Sequence, residues 1–412
     1  MKLSKELEWR GFVNQYTYKD ISALDGEPIT FYFGVDPSAS SMTVGNLAAM
    51  IMVSHFINHG HRAILLVGGA TGMIGDPDGK ASERKLLSLE DIEKNKNNIC
   101  KQYSKILGEN KFELVDNFDW FKDMSYLGFL RDIGKHVPMS QMLGRDFVKN
   151  RLESSGDGIS YAEFSYVLIQ AYDFYYLSKT EGVTLQLCGS DQWGNSIAGV
   201  DLTRRLTGQE VNVFSNPLII NKSTGKKFGK SEDGAIWLDE KLTSVYKFYQ
   251  FWLNSDDEGV EDYLKIYSFL TQAQIEETMT QFNQDRSKRI AQKTLAYEVT
   301  KLVHGQNRAE SVKRISEVLF ESGSYENLVE QDFTELSREL GLIKYTGQGL
   351  VEILVEANLA TSRSTARKFI ESGAVYANGS RINYTETLDE NLFIGNNLVL
   401  RRGKNSQVVV QK

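Results

Sequence analysis

The feature that most constrains the fold of this chain is a recurring order of apolar strand, small-residue loop and helix. Residues 29–35 form an apolar, aromatic run that predicts a buried strand, and Asp36 and Pro37 end it. A loop of small polar residues follows, and from Gly45 the apolar residues recur at helical spacing. Such a unit presents free backbone N–H groups to an anion, usually a phosphate. Because many units of this kind bind nothing, this one alone does not establish a site.

The same order recurs further along the chain. Residues 62–69 predict an interior parallel strand, and its terminal glycines open a second glycine-rich loop at residues 70–80. A charged helix then runs to about Gly108, and residues 112–115 predict a third strand. Strands that alternate with helices predict a parallel, doubly wound, Rossmann-like α/β sheet.

Acidic residues follow each of these strands. In doubly wound sheets, ligands lie beyond the carboxyl ends of the strands. Asp36, Asp76 and Asp116 all occupy such positions in the sequence. We therefore expect the three carboxylates to gather at one edge of the sheet.

A helical segment at residues 161–173 carries a polar stripe. Tyr166, Gln170 and Asp173 share one helix face, at spacings i, i+4 and i+7. A solvated stripe is the ordinary explanation, but apolar neighbours such as Leu168 favour a buried or pocket-lining face. Buried polar groups need partners, and a ligand is one kind of partner.

Two more loops follow predicted strands. A strand at residues 183–188 ends in a polar loop at residues 189–195, and residues 217–221 predict a last apolar strand. That strand leads into residues 225–231, where three lysines stand beside two glycines. This flexible, positive loop suits a polyphosphate, and a solvated turn is the alternative. It lacks the G-x-x-x-x-G-K spacing of a Walker loop.

Composition changes after the last of these loops. The chain becomes helical and contains no proline beyond Pro217. From residue 350 onward eight Lys and Arg stand against six Asp and Glu, although the whole chain has a net charge of −7. This basic tail suits RNA, with a solvated helix face as the alternative. We expect a catalytic domain, a helical domain, a connector and a tail domain, at residues 1–237, 238–323, 324–348 and 349–412.

Composition also excludes several classes of protein. The 25% charged and 41% hydrophobic residues are ordinary for a globular chain, and no apolar run approaches membrane-spanning length. Cys100 and Cys188 match no metal or disulfide spacing, which suits a reducing cytosol, so we expect a cytoplasmic protein. His55, His59 and His61 have no cysteines or carboxylates around them in the sequence, and we expect no metal there.

Taken together, these stretches resemble the bacterial-type tyrosyl-tRNA synthetases, a family of class I aminoacyl-tRNA synthetases. The similarity covers essentially the full length, and the tail is similar to the S4-like RNA-binding domain of that family. The most specific stretches are residues 68–85, 161–173, 189–195 and 227–231. The resemblance implies ATP-dependent attachment of tyrosine to its tRNA through a tyrosyl-adenylate.

The resemblance also implies roles for the tyrosine-binding residues. Tyr32 and Asp173 would hydrogen-bond the phenolic hydroxyl of tyrosine, and Gln192 would orient its carboxylate. The α-ammonium group would be held by a carboxylate, a phenol and an amide. The implied set is Tyr32, Asp76, Tyr166, Gln170, Asp173, Gln186 and Gln192.

A second implied set binds ATP, which we expect to arrive with Mg²⁺ although no protein ligand for the metal can be named. The ATP-binding residues are Gly34, Asp36, Gly45, Asp191, Lys227 and Lys230, of which Gly34 and Asp191 would lie along the adenosine. The residues that act on the phosphates are Thr43, Asn46, Lys80, Arg84, Lys227, Lys230 and Ser231. Attack of a tyrosine carboxylate on the α-phosphate needs alignment and charge stabilisation but no side-chain nucleophile.

Partners follow from the same resemblance. The family implies a homodimer, for which the apolar helical stretch at residues 124–166 is the expected interface. The basic residues expected to contact tRNA are Arg204, Arg205, Arg363, Arg367 and Lys368.

One departure from the family bears on catalysis. The His-Ile-Gly-His signature of class I synthetases is here Thr43-Val44-Gly45-Asn46, so only the glycine matches. A threonine hydroxyl and an asparagine amide are both hydrogen-bond donors, so we expect both to donate to the ATP phosphates in an active enzyme.

That departure leaves two alternatives to an active ligase. One is a catalytically weak paralogue that acts as an RNA-binding or regulatory protein. The other is an enzyme that activates tyrosine for an acceptor other than tRNA. The complete phosphate clamp argues against the first alternative, and the basic tail argues against the second.

Overall fold

The computed structural model describes residues 1–77, 86–143, 148–149, 159–231, 234–320, 323–382, 388–403 and 406–412, with the backbone alone at residues 141, 230 and 231. The chain forms two compact units. One comprises Met1–Asp239 and Ser255–Ala291, and the other comprises Glu240–Asn254 and Gln292–Lys412. The four functional domains expected from the sequence stay a prediction.

The helices are α1 (Leu3–Arg10), α2 (Val44–Asn58), α3 (Gly69–Gly72), α4 (Leu89–Leu107), α5 (Phe118–Phe121), α6 (Tyr126–Asp132), α7 (Met139–Leu143), α8 (Tyr161–Glu181), α9 (Trp193–Thr207), α10 (Val245–Leu253), α11 (Val260–Tyr267), α12 (Gln272–Gln284), α13 (Ile290–His304), α14 (Gln306–Phe320), α15 (Glu330–Leu340), α16 (Leu350–Glu356) and α17 (Arg363–Glu371). The expected helical character of residues 238–323 is confirmed by α10 to α14.

A six-stranded sheet forms the centre of the first unit. Its strands are β1 (Gln15–Tyr16), β2 (Thr30–Val35), β3 (Arg62–Val67), β4 (Glu113–Asp116), β5 (Val183–Gly189) and β6 (Asn212–Asn216), in the order β1-β6-β5-β2-β3-β4. Strands β2 to β6 pair in parallel and β1 is antiparallel. The predicted doubly wound α/β class is confirmed. Because the chain winds one way from β2 to β4 and the other way from β5 to β6, the switch point lies between β2 and β5.

The last predicted strand of this sheet is wrong by five residues. We expected it at residues 217–221, but β6 ends at Asn216. Pro217 has no N–H to donate to a ladder, so the strand ends before it. Residues after it form a hairpin with the lysine loop, through a bridge between Ile220 and Lys227. A two-residue ladder, β7 (Lys230–Ser231) with β8 (Gly234–Ala235), follows.

Helix α2 is buried along almost its whole length. Leu47, Met50, Ile51 and Phe56 have no solvent exposure, and the helix packs against α1, α4, α11, β3 and β5. A helix that is apolar on every side belongs inside a core rather than at its surface. Burial on all sides holds the N-terminus of α2 firmly at the carboxyl edge of the sheet.

The second unit contains a five-stranded sheet, order β11-β10-β12-β13-β9. Its strands are β9 (Leu342–Lys344), β10 (Val375–Ala377), β11 (Ser380–Arg381), β12 (Asn397–Arg402) and β13 (Ser406–Gln411). One face of the sheet packs on α16 and α17, and on the other face Val399 and Val409 meet Phe333 and Leu336 of α15. The expected connector at residues 324–348 thus contributes a helix and a strand to this unit.

In the described part of the chain, no helix is both long enough and apolar enough to span a membrane.

A buried ionic network ties α1 to α2 and to the segment after α11. Arg10 donates hydrogen bonds to the carbonyl oxygens of Lys265, Ser268 and Leu270 at 2.8–3.0 Å. Its Nε donates to Glu6 Oε1 at 3.0 Å. A buried guanidinium is stable only when its donors are satisfied in this way.

His55 of α2 belongs to the same network, and His61 follows the helix. His55 Nδ1 lies 3.2 Å from Glu6 Oε1. His61 Nδ1 accepts a hydrogen bond from the Ile29 N–H at 3.2 Å, and burial lowers the pKa of both imidazoles. Among the described residues, no group of three or more His, Cys, Asp or Glu side chains could hold a metal ion.

Glu6 therefore makes the free energy of unfolding depend on pH in the acidic range. The hydrogen bond from His55, with support from Arg10, lowers the pKa of Glu6 to about 2. A carboxylate with a depressed folded-state pKa stabilises the protein above its unfolded pKa, and that contribution is lost as the pH falls toward 2. We expect Glu6→Gln to lower the free energy of unfolding at pH 7 by roughly 1–3 kcal/mol.

Urea unfolding at pH 7 and at pH 3 measures this effect. The difference between Glu6→Gln and the parent should shrink at pH 3. Glu8→Gln is the matched control, since the Glu8 carboxylate pairs only with the exposed Lys5 ammonium in the described structure. Equal losses for the two variants at pH 7 would contradict the assignment.

Candidate active site

A cavity of about 430 Å³ opens at the switch point between β2 and β5. Its walls come from the ends of these strands, from the N-terminus of α2, and from α8. Most of the residues predicted from the sequence line this single cavity: Tyr32, Gly34, Asp36, Thr43, Gly45, Asn46, Asp76, Tyr166, Gln170, Asp173, Gln186, Asp191, Gln192 and Lys227.

Asp173 is an almost completely buried polar group of the cavity, with 1% of its surface exposed. Trp120 Nε1 donates to its Oδ1 at 2.9 Å, and Asn117 Nδ2 donates to its Oδ2 at 3.1 Å. Burial raises the pKa of Asp173 well above its usual range, although the two hydrogen bonds oppose that rise. Asp173 is thus a fixed acceptor beside the buried Tyr32, whose ring meets Phe174 edge-on at 5.2 Å.

Several buried polar atoms of this cavity have no hydrogen-bond partner among the described residues. They are Tyr32 Oη, Gln170 Oε1, Gln186 Oε1 and Asn216 Oδ1. Buried polar atoms in folded proteins are nearly always satisfied, so a cluster of unsatisfied ones in one cavity indicates a polar ligand. A ligand with a hydroxyl at one end and charged groups at the other would satisfy them.

A second network lies nearer the mouth of the cavity. Asp36 accepts hydrogen bonds from the Tyr166 hydroxyl at 2.7 Å and from the Thr71 hydroxyl at 2.6 Å. Gln192 Nε2 donates to Asp76 Oδ2 at 2.5 Å. Gly68 is required here, because a Cβ would lie 2.1 Å from the Thr71 hydroxyl and 2.3 Å from the Asp36 carboxylate.

Thr43 and Asn46 stand at the start of α2, where the dipole attracts anions. Asn46 Oδ1 accepts hydrogen bonds from the Thr43 N–H at 2.9 Å and from the Thr43 hydroxyl at 3.0 Å. The expectation that both side chains donate to phosphates is therefore not what this geometry favours, because the proton of Thr43 is used within the pair.

The lysine loop packs against the same helix start. In its backbone, the Phe228 N–H donates a hydrogen bond to the Ile219 carbonyl oxygen at 2.8 Å. Gly229 has φ +89°, and a Cβ there would lie 3.3 Å from Val44 Cβ. Lys227 lines the cavity. Only the backbone is described at Lys230 and Ser231, and Lys80 and Arg84 lie outside the described residues.

Asp116 does not share the cavity of Asp36 and Asp76 in the described structure. Its Oδ1 accepts from the Gly69 N–H at 3.0 Å and its Oδ2 from Lys96 Nζ at 2.9 Å. The carboxylate thus holds the start of α3. Asp116 lies at the carboxyl edge of the sheet as expected, beside Val67 in the register of β4 with β3, but it does not line the cavity. It lines a separate cleft beside Trp120.

Sequence reasoning missed the supporting residues Asn117, Trp120 and Thr71. Asn117 donates both to Asp173 and to Thr71, and its Oδ1 accepts from the Ala70 N–H. Its place directly after a strand end was the available signal. Trp120 carried none, because its stacking on Tyr176 at 4.5 Å joins elements distant in sequence.

The predicted RNA-binding residues are exposed and lie outside this cavity. Arg204 pairs with Asp201 at 2.9 Å on α9, and Arg205 donates to the His136 carbonyl. In the second unit, three cations project from α17: Arg363, Arg367 and Lys368.

Comparison with known proteins agrees with this geometry. The family profile "tRNA synthetases class I (W and Y)" matches residues 24–321, and the profile "Tyrosine--tRNA ligase SYY-like C-terminal domain" matches residues 331–410. The tyrosine--tRNA ligase of Geobacillus kaustophilus is 43% identical over 422 residues, which cover 100% of both chains. That of Salmonella paratyphi B is 44% identical over 99% of this chain and 98% of its own.

Solved structures show the same fold. A C-terminally truncated mitochondrial tyrosyl-tRNA synthetase of Aspergillus nidulans superposes with a TM-score of 0.70 at 32% identity, covering 77% of this chain and 94% of its own. The tyrosyl-tRNA synthetase of Archaeoglobus fulgidus in complex with L-tyrosine has a TM-score of 0.54 at 14% identity, over 76% of this chain and all of its own. The chain therefore belongs to the tyrosyl-tRNA synthetase family of class I, with the C-terminal domain of its bacterial-type members.

Proposed function

We propose that the cavity at the switch point binds tyrosine and MgATP and forms tyrosyl-adenylate there. The overall activity, ATP-dependent attachment of tyrosine to its tRNA in translation, follows from the family. Full-length similarity to tyrosine--tRNA ligases favours this activity over the weak paralogue and over a different acceptor.

The observation that carries the proposal is the set of unsatisfied buried atoms around Asp173. A tyrosine phenol placed between Tyr32 and Asp173 can donate to the carboxylate and accept from the Tyr32 hydroxyl. Its α-ammonium group would lie near Gln170 Oε1, Tyr166 and Asp76, which supply acceptors and negative charge.

With tyrosine held this way, its carboxylate lies toward the helix start. One carboxylate oxygen attacks the α-phosphorus of ATP, a new P–O bond forms, and the bond to pyrophosphate breaks. Asn46 and the cations Lys80, Arg84, Lys227 and Lys230 would stabilise the charge that develops on the leaving group, with Ser231 beside them. A hydroxyl of the terminal tRNA ribose then attacks the carbonyl and releases AMP.

Tyrosine-dependent pyrophosphate exchange tests the first half-reaction, and Tyr32→Phe tests its specificity. An unpaired buried polar group costs about 1–3 kcal/mol, so the variant should narrow the preference for tyrosine over phenylalanine by roughly one to two decades in kcat/KM. Tyr103→Phe is the matched control, because Tyr103 is equally buried but packs on Phe112. An unchanged ratio in Tyr32→Phe would refute the pocket assignment.

We also propose a homodimer through residues 124–166. Five large apolar side chains in this stretch are exposed: Tyr126, Leu127, Met139, Leu143 and Tyr161, from 44% to 76%. Several large apolar side chains exposed within one segment are typical of a protein interface. We further propose that the protein is cytoplasmic. Its membership of the bacterial-type family and its two free cysteines support this location.

A single charge should break this interface. We expect the parent to sediment as a dimer at micromolar concentration. Leu127→Asp should weaken self-association by roughly thirtyfold or more, since a buried interface anchor is worth about 2 kcal/mol or more. Leu89→Asp, at a similarly exposed leucine of α4, should leave the dimer intact. A monomeric parent would rule the proposal out.

The second unit is proposed to bind tRNA through α17. Deleting residues 349–412 is a poor test, because Val399 and Val409 pack on α15 and β9 pairs with β13. Replacing Arg363, Arg367 and Lys368 by alanine removes the charge and leaves this core in place.

We expect this triple variant to raise KM for tRNA by roughly tenfold or more. The KM should also depend less on salt, because a protein with fewer phosphate contacts releases fewer counterions when it binds. Tyrosine-dependent pyrophosphate exchange should not change. Alanine at Lys2, Lys5 and Lys19, which are exposed in the first unit, is the matched control for charge. If the triple variant and the parent charged tRNA equally well, the RNA-binding site would not be on α17.

A further inference from the structure

We infer that Thr43 is a positioning residue that fixes the orientation of the Asn46 carboxamide, and that Asn46 alone of the pair contacts the ATP phosphates. This inference rests on the proposed function of the cavity. It assigns different roles to the two polar residues of the stretch Thr43-Val44-Gly45-Asn46.

The orientation of the carboxamide follows from its partner. A backbone N–H can only donate, so the Asn46 atom 2.9 Å from the Thr43 N–H must be the oxygen. The Thr43 hydroxyl donates to the same oxygen at 3.0 Å. The amide nitrogen of Asn46 is then forced to the opposite side, with both of its protons available.

That nitrogen has no acceptor within the described part of the chain, and Asn46 lines the cavity. Phosphate oxygens are acceptors only, so the free N–H₂ group of Asn46 is complementary to them. The Thr43 hydroxyl has a single proton, which it already donates. A hydroxyl so engaged supplies no hydrogen bond to a phosphate.

The backbone of Thr43 is held from the other side. Val44 N donates to Ile236 O at 3.0 Å, and Leu238 N donates to Met42 O at 2.9 Å. These bonds form an antiparallel bridge at Thr43 and Trp237. Because the donor that orients Asn46 is itself fixed, the amide is aimed before substrate arrives, which is what electrostatic stabilisation of a transition state requires.

Asparagine also differs from histidine in having no proton to lose near neutral pH. The donor at position 46 is present at every pH between 6 and 9. We therefore expect the pH profile of pyrophosphate exchange to have the same shape in the parent and in Asn46→Ala.

A double-mutant cycle separates positioning from direct contact. Tyrosine-dependent pyrophosphate exchange is measured for the parent, Thr43→Val, Asn46→Ala, the double variant and Thr43→Ser, with kcat and KM for ATP and for tyrosine. We expect Asn46→Ala to lower kcat about a hundredfold with KM for tyrosine little altered, the loss of one preorganised donor. Thr43→Val should lower kcat by roughly tenfold, because the amide is then less well oriented.

The coupling between the two positions decides the inference. If Thr43 acts through Asn46, adding Thr43→Val to Asn46→Ala should change kcat by less than about twofold, and Thr43→Ser should match the parent. Multiplicative losses in the double variant would show that Thr43 contacts substrate itself or supports the fold independently, and would overturn the inference.

Three other outcomes are distinct. Thr43→Val as fast as the parent would also overturn the positioning role. An inactive parent would instead refute the proposed function, and an Asn46→Ala variant as fast as the parent would remove Asn46 from the machinery. Thermal unfolding of Thr43→Val and Thr43→Ser identifies any loss that comes from weakened helix capping alone.

Discussion

Burial of the Asp173 carboxyl beneath the switch point is the interaction on which the rest of the site depends. A buried carboxylate without partners is strongly unfavourable, so it survives only where donors surround it. Asn117 and Trp120 supply two of them, one on each oxygen. Asn117 also bonds Thr71, and Thr71 bonds Asp36. The group that would read the phenol is thereby joined to the glycine-rich loop and to the end of β2.

This network leaves several buried polar atoms of the cavity without hydrogen-bond partners among the described residues. Tyr32 Oη, Gln170 Oε1 and Gln186 Oε1 are buried without protein partners, which lowers the stability of the ligand-free protein. A ligand that satisfies these atoms recovers that free energy on binding and stabilises the folded state. A ligand without a phenolic hydroxyl would leave Tyr32 Oη unsatisfied, so at this atom selectivity and the instability of the ligand-free protein would have the same cause.

The phosphate end of the cavity is organised differently, through backbone bonds. The strand-like bridge between Thr43 and Trp237 and the contact of Gly229 with Val44 bring the lysine loop against the start of α2. Segments that are 185 to 194 residues apart in the sequence therefore share one framework. The side chains in the signature can change while this framework is kept, because main-chain hydrogen bonds do not depend on side-chain identity.

The sequence by itself determined the parallel α/β class, the helical middle and most of the residues that line the cavity. Strand ends and helix starts are local, and parallel topology brings them to one edge, so Asp36, Asn46 and Asp173 could be found from pattern and resemblance. The tertiary structure alone decided how their hydrogen bonds are shared. It assigned Asp116 to α3, enlisted Trp120 to hold Asp173, and directed the Thr43 proton to Asn46. Spacing in the sequence indicates which groups lie at the edge of the sheet. A hydroxyl has only one proton to donate, and which acceptor it reaches depends on distances that are set by the packing of the folded chain.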